Sequence, residues 1–347
     1  MFEGHTVAVA IPAYNEESFV ADVIDAVPDY VDRVYPVDDG STDDTWREIR
    51  RAADDVNREQ TDRTAVIAHP DHRGDGGTQT GGFARRVVPL RHQKNRGVGA
   101  AIKTAYLRAR EDDLDVTVVV GGDGQMDPEQ MGGLIRPIVD GRVDYTKGNR
   151  FLYDGGVAEM PRHRVVGNVL LGHLTKFASG YWSLGDSQSG YTAISTRALD
   201  AARIEEMYED YGYCNDLLVR LNVADCRVAD VPRPVTYGDE ESHIRYRTYV
   251  PKVSTLLLRG FTRRLWRNYF VRDLHPAGLG YVAGALGSLA GVALLAASAF
   301  SLLLGASGAF AQASVGGLAV LLGALLLVSA MTLDRQQNEH LAVVEDQ

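Results

Sequence analysis

Residues 33–45 of the 347-residue chain read RVYPVDDGSTDDT, which is a short apolar run followed by a turn and the start of a helix. Gly40 permits the tight turn, and Ser41 or Thr42 can cap the helix that follows. The same order of strand, loop and helix recurs from a β-branched run at residues 6–11 onward. Short apolar strands that alternate with helices predict an α/β fold, a mostly parallel sheet with helices on both faces.

The alternation extends over residues 1–240. Strands are predicted at 6–11, 33–37, 64–68, 116–120 and 143–145, and helices at 17–27, 44–57, 98–110 and 128–139. Residues 71–83 contain five glycines and predict a loop inserted after the third strand. Ligands of such sheets bind at the carboxyl ends of the strands, so the residues after each strand are the candidates for function.

Charge is acidic overall and poor in lysine. The chain has 36 Lys and Arg against 46 Asp and Glu, a net charge of −10, and only five of the cations are lysines. This composition argues against a nucleic-acid partner and suits the salty cytoplasm of a halophile. Cys214 and Cys226 are too few for a disulfide framework or a cysteine-rich metal site.

A long uncharged tract lies near the carboxyl end. The mean hydropathy of the chain is −0.15, yet residues 274–333 contain no Asp, Glu, Lys or Arg. A spanning helix needs about 20 apolar residues, and the tract divides into 278–304 and 310–333, which predicts a transmembrane hairpin within 275–334. A buried soluble hairpin is the alternative, but it would have to hide two helices that are apolar all round.

Small residues mark one face of the first predicted span. These are Gly280, Gly284, Gly287 and Gly291. Their spacing allows another helix to approach closely, which makes a homo-oligomer through the transmembrane helices one expectation.

The flanks of the hairpin predict its orientation. Residues 245–272 contain eight Lys and Arg and no acid, and positive charge collects on the cytoplasmic side of a membrane. Residues 249–272 also mix aromatic and aliphatic side chains with these cations, as in a helix at the surface of a lipid bilayer. The chain starts without a signal-peptide pattern. We therefore expect a cytoplasmic domain at 1–240, juxtamembrane amphipathic helices at 241–274 and a cytosolic tail at 335–347.

Acidic and amide side chains follow two of the predicted strands. Asp38 and Asp39 are adjacent, and because their charges repel, we interpret them as acceptors for a base N–H or a ribose hydroxyl. An acidic, well-capped helix start is the structural alternative. Asp123, Gln125 and Asp127 follow the strand at 116–120 and offer the oxygen ligands that suit Mg²⁺ or Mn²⁺ on phosphates.

Six motifs occur in order along the chain. They are IPAYNEE (11–17), DDGSTDDT (38–45), NRGVGAAI (95–102), GDGQMDP (122–128), KGNR (147–150) and GDSQSGY (185–191). Together they resemble the inverting family-two glycosyltransferases of the GT-A fold, and among these the dolichol-phosphate mannose or glucose synthases. The resemblance implies a membrane-bound enzyme that moves a hexose from a GDP- or UDP-linked nucleotide sugar to a polyprenyl (dolichyl) phosphate with inversion.

The resemblance also implies roles for individual residues. The nucleotide-sugar pocket would comprise Pro12, Tyr14, Glu16, Val37, Asp38, Asp39, Gly122 and Asp123. Asp123 and Gln125 would hold the Mg²⁺ or Mn²⁺. Arg150 would meet the acceptor phosphate, with Arg164, Asp186 and Arg245 beside it, and a turn-capping role is the alternative for Asp186. An acceptor phosphate is already ionised near pH 7, so no strong general base is needed.

Two departures from the family pattern keep other functions open. Gly121 stands where relatives carry the first Asp of Asp-x-Asp, and His243 stands where they often carry Lys. An inactive membrane-tethered nucleotide-sugar-binding protein is therefore one alternative. A transferase that extends a lipid-linked glycan or polymer is another, although residues 264–266 lack the Gln of the Gln-x-x-Arg-Trp motif typical of processive relatives. We interpret His5, His69, His72, His92 and His340 as solvent-facing.

Overall fold

The computed structural model describes residues 1–67, 83–152, 162–233, 246–304 and 307–343. Its strands form one eight-stranded sheet in the order β3-β2-β1-β4-β6-β5-β7-β8. They are β1 Val7–Ala13, β2 Arg33–Asp38, β3 Leu90–Arg91, β4 Val116–Val119, β5 Tyr145–Asn149, β6 Thr192–Ser195, β7 Val228–Pro232 and β8 Ala342–Val343. All neighbouring strands are parallel except β6, which runs antiparallel to β4 and β5.

Helices cover both faces of the sheet, as predicted. They are α1 Val20–Asp25, α2 Thr45–Ile67, α3 Val98–Glu111, α4 Met131–Val139, α5 Arg162–Ser179, α6 Thr196–Ala201, α7 Tyr213–Val223, α8 Tyr246–Trp266, α9 Pro276–Leu303 and α10 Ala309–Asn338. Side chains of β1 alternate between the two cores. Ala8 and Ala10 pack with α3 and α7, whereas Val7, Val9 and Ile11 pack with α1 and α4.

The third strand differs from its prediction. Residues 64–67 continue α2, which is 23 residues long, and residue 68 lies outside the described residues. Once a helix has formed, each added residue gains a backbone hydrogen bond, which outweighs the weak strand preference of a short β-branched run. The edge position belongs instead to Leu90–Arg91, which pairs in parallel with Val37 and Asp38. Most of the predicted loop at 71–83 is also outside the described residues.

The two apolar helices pack against each other along their glycines. Both α9 and α10 are long and apolar enough to span a membrane, and little of either is buried. A Cβ built on Gly284 would lie 2.9 Å from the Gly323 oxygen, and one on Gly291 would lie 2.7 Å from the Gly316 oxygen. The small-residue face of α9 is thus covered by α10 of the same chain. A homo-oligomer through the transmembrane helices stays a prediction, and it would have to use another face of the hairpin.

Residues 335–343, the described part of the cytosolic tail expected at 335–347, pack against the sheet domain. Helix α10 continues to Asn338, and Leu341 is buried in the core beneath the sheet. Ala342 and Val343 then pair in parallel with Val228 and Ala229 of β7. The short apolar run at residues 341–343 covers an edge that β7 would otherwise leave open. The hairpin is therefore joined to the sheet domain at both of its ends.

Candidate active site

The loops after β1 and β2 are bound to each other. The Asn15 amide donates to Ser41 Oγ at 3.0 Å, and the Glu16 amide donates to Thr45 Oγ1 at 2.7 Å. Asn15 has a φ of 58°, a left-handed conformation that asparagine tolerates. These contacts place Tyr14, which is 42% exposed, at the carboxyl edge of the sheet.

Asp39 follows β2 and is buried with three protein donors. Its carboxylate lies 2.6 Å from His92 Nδ1 and accepts from the amides of Arg96 at 3.0 Å and Gly97 at 2.7 Å. His92 is only 8% exposed, so its interpretation as solvent-facing is wrong, and its Nε2 lies 2.9 Å from Thr104 Oγ1. Nothing in the local sequence marks His92, because its partner Asp39 lies 53 residues away along the chain.

Asp38 also has protein partners. It is fully buried, accepts from the Ser41 amide at 2.9 Å and forms an ion pair with Arg91 at 2.9 Å. Protein partners therefore compensate the charges of Asp38 and Asp39 without a ligand. Through these contacts both residues stabilise the loops at the carboxyl edge of the sheet. Gly40 completes it with a φ of 72°, where a Cβ would lie 2.5 Å from the Lys94 carbonyl carbon.

The loop after β4 runs against the end of β1. The Gly122 amide donates to the Pro12 oxygen at 3.1 Å, and a Cβ on Gly122 would lie 3.0 Å from that oxygen. Asp123 accepts from the Gln125 amide at 3.1 Å. A Cβ built on Gly121 would lie 2.8 Å from Asp123 Oδ1, so the Asp123 carboxylate occupies the space that a side chain at position 121 would need. Pro12, Gly122 and Asp123 thus meet at one edge.

The ligands in this loop fit a cation that is shared with a substrate. The Asp127 carboxylate is used in capping the turn that follows, since it accepts from the Glu129 amide at 2.9 Å and from Gln130 Nε2 at 3.0 Å. Within the described ranges, no group of three or more His, Cys, Asp or Glu side chains could hold a metal. Mg²⁺ usually takes one or two carboxylates, and substrate phosphates and waters complete its shell. Asp123 and Gln125 match that arrangement.

Arg150 follows β5 directly and forms a two-pronged ion pair with Asp186. Nε lies 2.7 Å from Oδ2, Nη2 lies 2.7 Å from Oδ1, and the Arg150 amide also donates to Oδ2 at 3.1 Å. Burial of Asp186 would raise its pKa, but the hydrogen bonds and charge of Arg150 outweigh burial and hold that pKa below its ordinary value. Asp186 is therefore the partner that fixes the direction of the Arg150 guanidinium.

A buried lysine supports the loop that carries Asp186. Lys147 Nζ lies 2.5 Å from Asp230 Oδ1 and donates to the carbonyls of Gly185 and Asp186. Asp230 Oδ2 accepts from the Gly185 amide at 2.6 Å and from Asn149 Nδ2 at 2.7 Å. Strands β5 and β7 thus fix this loop through one buried charge pair.

Arg233 is a site residue that the sequence did not reveal. It follows β7 directly, beside the end of β5, and it is only 8% exposed. Its Nη2 donates to the Gln125 oxygen at 3.0 Å, and its guanidinium lies 5.2 Å from the centre of the Tyr191 ring. Burial, followed by the nearby charge of Arg150, lowers its pKa. In the part of the chain that the structure describes, no carboxylate forms a salt bridge with it.

The signal for Arg233 was its place immediately after residues 228–232, VADVP, which are apolar except for Asp230 and for which no strand was predicted. The structure does not describe the side chains of the other predicted arginines. Arg164 lies in α5, but its side chain is not described, and Arg245 and His243 lie outside the described residues. Three elements therefore converge at this edge: the Asp123 loop, Arg150 with Asp186, and Arg233.

Comparison with known proteins identifies the family. The model of glycosyl transferase family 2 matches residues 8–85 and 82–202. The chain belongs to this family. It is a glycosyltransferase, and the sheet and helices described above confirm the GT-A fold that the motifs implied.

Named relatives include lipid-phosphate glycosyltransferases. The chain is 27% identical over 230 residues to the UDP-N-acetylglucosamine–dolichyl-phosphate N-acetylglucosaminyltransferase of Methanococcus voltae, covering 66% of this chain and 85% of that protein. It is 28% identical over 183 residues to the undecaprenyl-phosphate mannosyltransferase of Micrococcus luteus, covering 50% and 70%. Among solved structures, glucosyl-3-phosphoglycerate synthase of Mycobacterium tuberculosis aligns with a TM-score of 0.49 and 19% identity over 75% of this chain and 80% of that chain.

Proposed function

We propose that this glycosyltransferase moves a hexose from a GDP- or UDP-linked sugar to a polyprenyl phosphate, such as dolichyl phosphate, with inversion at the anomeric carbon. The observation that carries the proposal is the meeting of Arg150 and Arg233 with the Asp123 loop at one sheet edge. Two buried or half-buried arginines suit two phosphate groups, one on each reactant. The two relatives above, whose names specify lipid-phosphate acceptors, support the acceptor class.

On the donor side, Pro12, Tyr14, Glu16, Val37, Asp38 and Asp39 would form the walls of the nucleoside pocket. Arg233 would contact the diphosphate, since its guanidinium already reaches the Gln125 backbone beside Asp123. Asp123 and Gln125 would hold Mg²⁺ or Mn²⁺ on the same group. The bound cation would supply charge neutralisation to the leaving diphosphate.

On the acceptor side, Arg150 would bind the lipid phosphate, with Arg164 and Arg245 as further cationic contacts. The ion pair with Asp186 keeps the Arg150 guanidinium in one direction, so little conformational entropy is lost when the phosphate binds. One oxygen of the acceptor phosphate attacks the anomeric carbon while the bond to the diphosphate breaks on the opposite face. The acceptor is already ionised, so the chain needs to supply positioning and cationic charge only.

The proposed setting is the cytoplasmic surface of the cell membrane. The two apolar helices would cross the bilayer, and the cationic residues between 245 and 272, apart from the buried Arg264, would lie at its cytoplasmic face. In this division, residues 1–240 catalyse, 241–274 contact the membrane surface and 275–334 anchor the protein. A lipid phosphate would then reach the site without leaving the bilayer.

The test uses membranes that contain the full-length protein. They are incubated with radiolabelled GDP- and UDP-hexoses together with polyprenyl phosphate and Mn²⁺, and lipids are extracted into organic solvent. We expect one donor to label a lipid whose sugar is released by mild acid as a monosaccharide. Asp123→Ala should lower the labelling at least about 100-fold, whereas the matched variant Asp127→Ala should retain activity within about threefold, because Asp127 caps a helix.

Other outcomes would support the alternatives. Labelled material that contains a longer glycan would indicate a transferase that extends lipid-linked sugars. Donor binding without any labelled lipid, in both wild type and Asp127→Ala, would indicate an inactive nucleotide-sugar-binding protein. Equal labelling by Asp123→Ala and wild type would remove Asp123 from the reaction.

A further inference from the structure

The base of the hairpin is bound to the sheet domain through one buried ion pair. Asp334 is the first charged residue after the uncharged tract, and both it and Arg264 of α8 are fully buried. Arg264 Nη1 lies 2.7 Å from Asp334 Oδ1, and Nη2 lies 2.9 Å from Oδ2. The same guanidinium donates to the carbonyls of Phe177 at 3.1 Å and Ala178 at 3.0 Å, which lie in the last turn of α5. Asp334 thus reaches α5 through Arg264.

Further polar groups close around this pair. Tyr269 and Tyr281 hydroxyls donate to the Asp334 carboxylate, the latter at 3.2 Å. Asn338 donates to Asp334 at 2.9 Å and accepts from Asn222 of α7 at 2.7 Å. The carboxylate is therefore surrounded by donors from α8, α9, α10 and the turn after α8.

Helix α5 in turn contacts the loop that orients Arg150. Thr175 Oγ1 donates to Asn215 Oδ1 at 2.8 Å, and Gln188 Nε2 donates to the same oxygen at 2.9 Å. Asn215 is fully buried, and Gln188 lies two residues after Asp186. A series of side-chain contacts and short chain segments therefore leads from Asp334 through α5 to Gln188, two residues from the partner of Arg150.

We infer that Asp334 is a positioning residue for the lipid acceptor, so that the hairpin determines the geometry of the acceptor site in addition to anchoring the enzyme. The inference rests on the proposed function. A buried ion pair adds little net stability compared with apolar packing, but it disfavours every arrangement that leaves one charge unpaired. Arg264 has its charge partner Asp334 only when the hairpin packs against the domain. Because Arg264 also donates to the carbonyls of Phe177 and Ala178, this packing fixes the last turn of α5. The bilayer anchor and the acceptor arginine are thereby held in one geometry.

The kinetic test uses the full-length enzyme in bilayer nanodiscs. Asp334→Asn removes the charge at nearly constant shape, and Tyr281→Phe removes a single donor to Asp334. Asp273→Asn is the matched control, because Asp273 is exposed and forms no salt bridge among the described residues. We expect Asp334→Asn to lower kcat/KM for the polyprenyl phosphate at least about fivefold with the donor KM within about twofold, Tyr281→Phe to have a smaller effect in the same direction, and Asp273→Asn to have none.

A second readout does not depend on activity. Spin labels attached through Leu170→Cys in α5 and Val328→Cys in α10 report the distance between domain and hairpin, and both positions are more than 60% exposed while Cys214 and Cys226 are buried. We expect one narrow distance distribution in wild type and Asp273→Asn and a broader one in Asp334→Asn.

The two readouts separate the possible failures. A narrow distribution in Asp334→Asn, or equal losses in donor and acceptor parameters, would overturn the positioning role. If wild type transfers to no polyprenyl phosphate but Asp334→Asn still broadens the distribution, the proposed function fails while the coupling between hairpin and α5 is supported.

Discussion

Two buried arginines of this molecule have opposite surroundings. Arg264, at the base of the hairpin, directs its donors to both oxygens of Asp334 and to two backbone carbonyls. Arg233, at the edge of the sheet, donates to one carbonyl, and no carboxylate in the described ranges forms a salt bridge with it. The guanidinium has five N–H donors in each case, and buried donors normally find partners.

On the proposed function, this difference separates a structural arginine, Arg264, from Arg233, which would bind a ligand. The guanidinium of Arg264 makes four hydrogen bonds with its five N–H donors, and these contacts contribute to docking of the hairpin. Burial and the nearby charge of Arg150 lower the pKa of Arg233. An anionic group bound beside Arg233 would raise that pKa again. We therefore expect loss of Arg264 to appear in stability and loss of Arg233 to appear in catalysis.

The largest expected effect is that of Arg264→Gln on stability. It leaves Asp334 buried without its charge partner, and breaking such a pair costs about 3–5 kcal/mol. Thermal unfolding in detergent should show a clearly lowered midpoint. Arg267→Gln is the control, since Arg267 is exposed, and it should unfold like wild type. An unchanged midpoint in Arg264→Gln would mean that the ion pair does not dock the hairpin.

Arg233→Gln should instead act on the reaction. We expect kcat/KM for the nucleotide sugar to fall about 100-fold, equivalent to about 2.7 kcal/mol, because a preorganised donor to the diphosphate is lost. The unfolding midpoint should stay or rise. Arg227→Gln, at the opposite end of β7, is the control and should be active. If the stability of Arg233→Gln dropped as far as that of Arg264→Gln, the two arginines would not differ in kind.

Arg150→Ala should have a smaller effect that is confined to the acceptor. Transfer to lipid phosphate should slow at least about tenfold, equivalent to about 1.4 kcal/mol, with donor binding nearly unchanged. Arg150→Lys should recover only part of the loss, since a lysine returns the charge without the planar fork that also meets Asp186. Loss of donor affinity with normal transfer at saturating donor would place Arg150 in the nucleotide pocket.

The smallest expected effect concerns pH. Because the pKa of Asp186 is lowered in the folded protein, its ionised form stabilises the fold above the ordinary Asp pKa of about 3.9, and this stabilisation is lost as pH falls through the lowered value. The difference in unfolding midpoint between wild type and Asp186→Asn should be constant from pH 7 to about 5 and shrink only below about 4. A difference that disappears by pH 6 would contradict the strong pair with Arg150.

Much of the fold was predictable because it depends on local patterns. Periodicity and turn chemistry predicted β1, β2 and the neighbouring helices, and the uncharged tract predicted α9 and α10. The errors have a common physical origin in long-range pairing. Leu90–Arg91 and Ala342–Val343 are short strands that are stabilised by partners far away in sequence.

The candidate site follows the same rule. Motifs predicted Asp123, Arg150 and Asp186, and the structure brings the last two together, with Arg233 between them and the Asp123 loop. His92 and Arg233 were missed because their roles depend on Asp39 and Gln125, which lie more than 50 and 100 residues away. A buried side chain acquires such a role from tertiary contacts, which a single sequence does not display.

The central claim is that the partly satisfied Arg233 binds the donor diphosphate at this sheet edge. Calorimetric titration of UDP and GDP with Mn²⁺ into the full-length protein tests it most directly, with wild type, Arg233→Gln and Arg150→Ala compared side by side. We predict that one nucleotide binds wild type and Arg150→Ala with affinities within about twofold, and that Arg233→Gln binds it at least about tenfold more weakly, or about 1.4 kcal/mol. Binding by Arg233→Gln that is as tight as that of wild type would contradict the account.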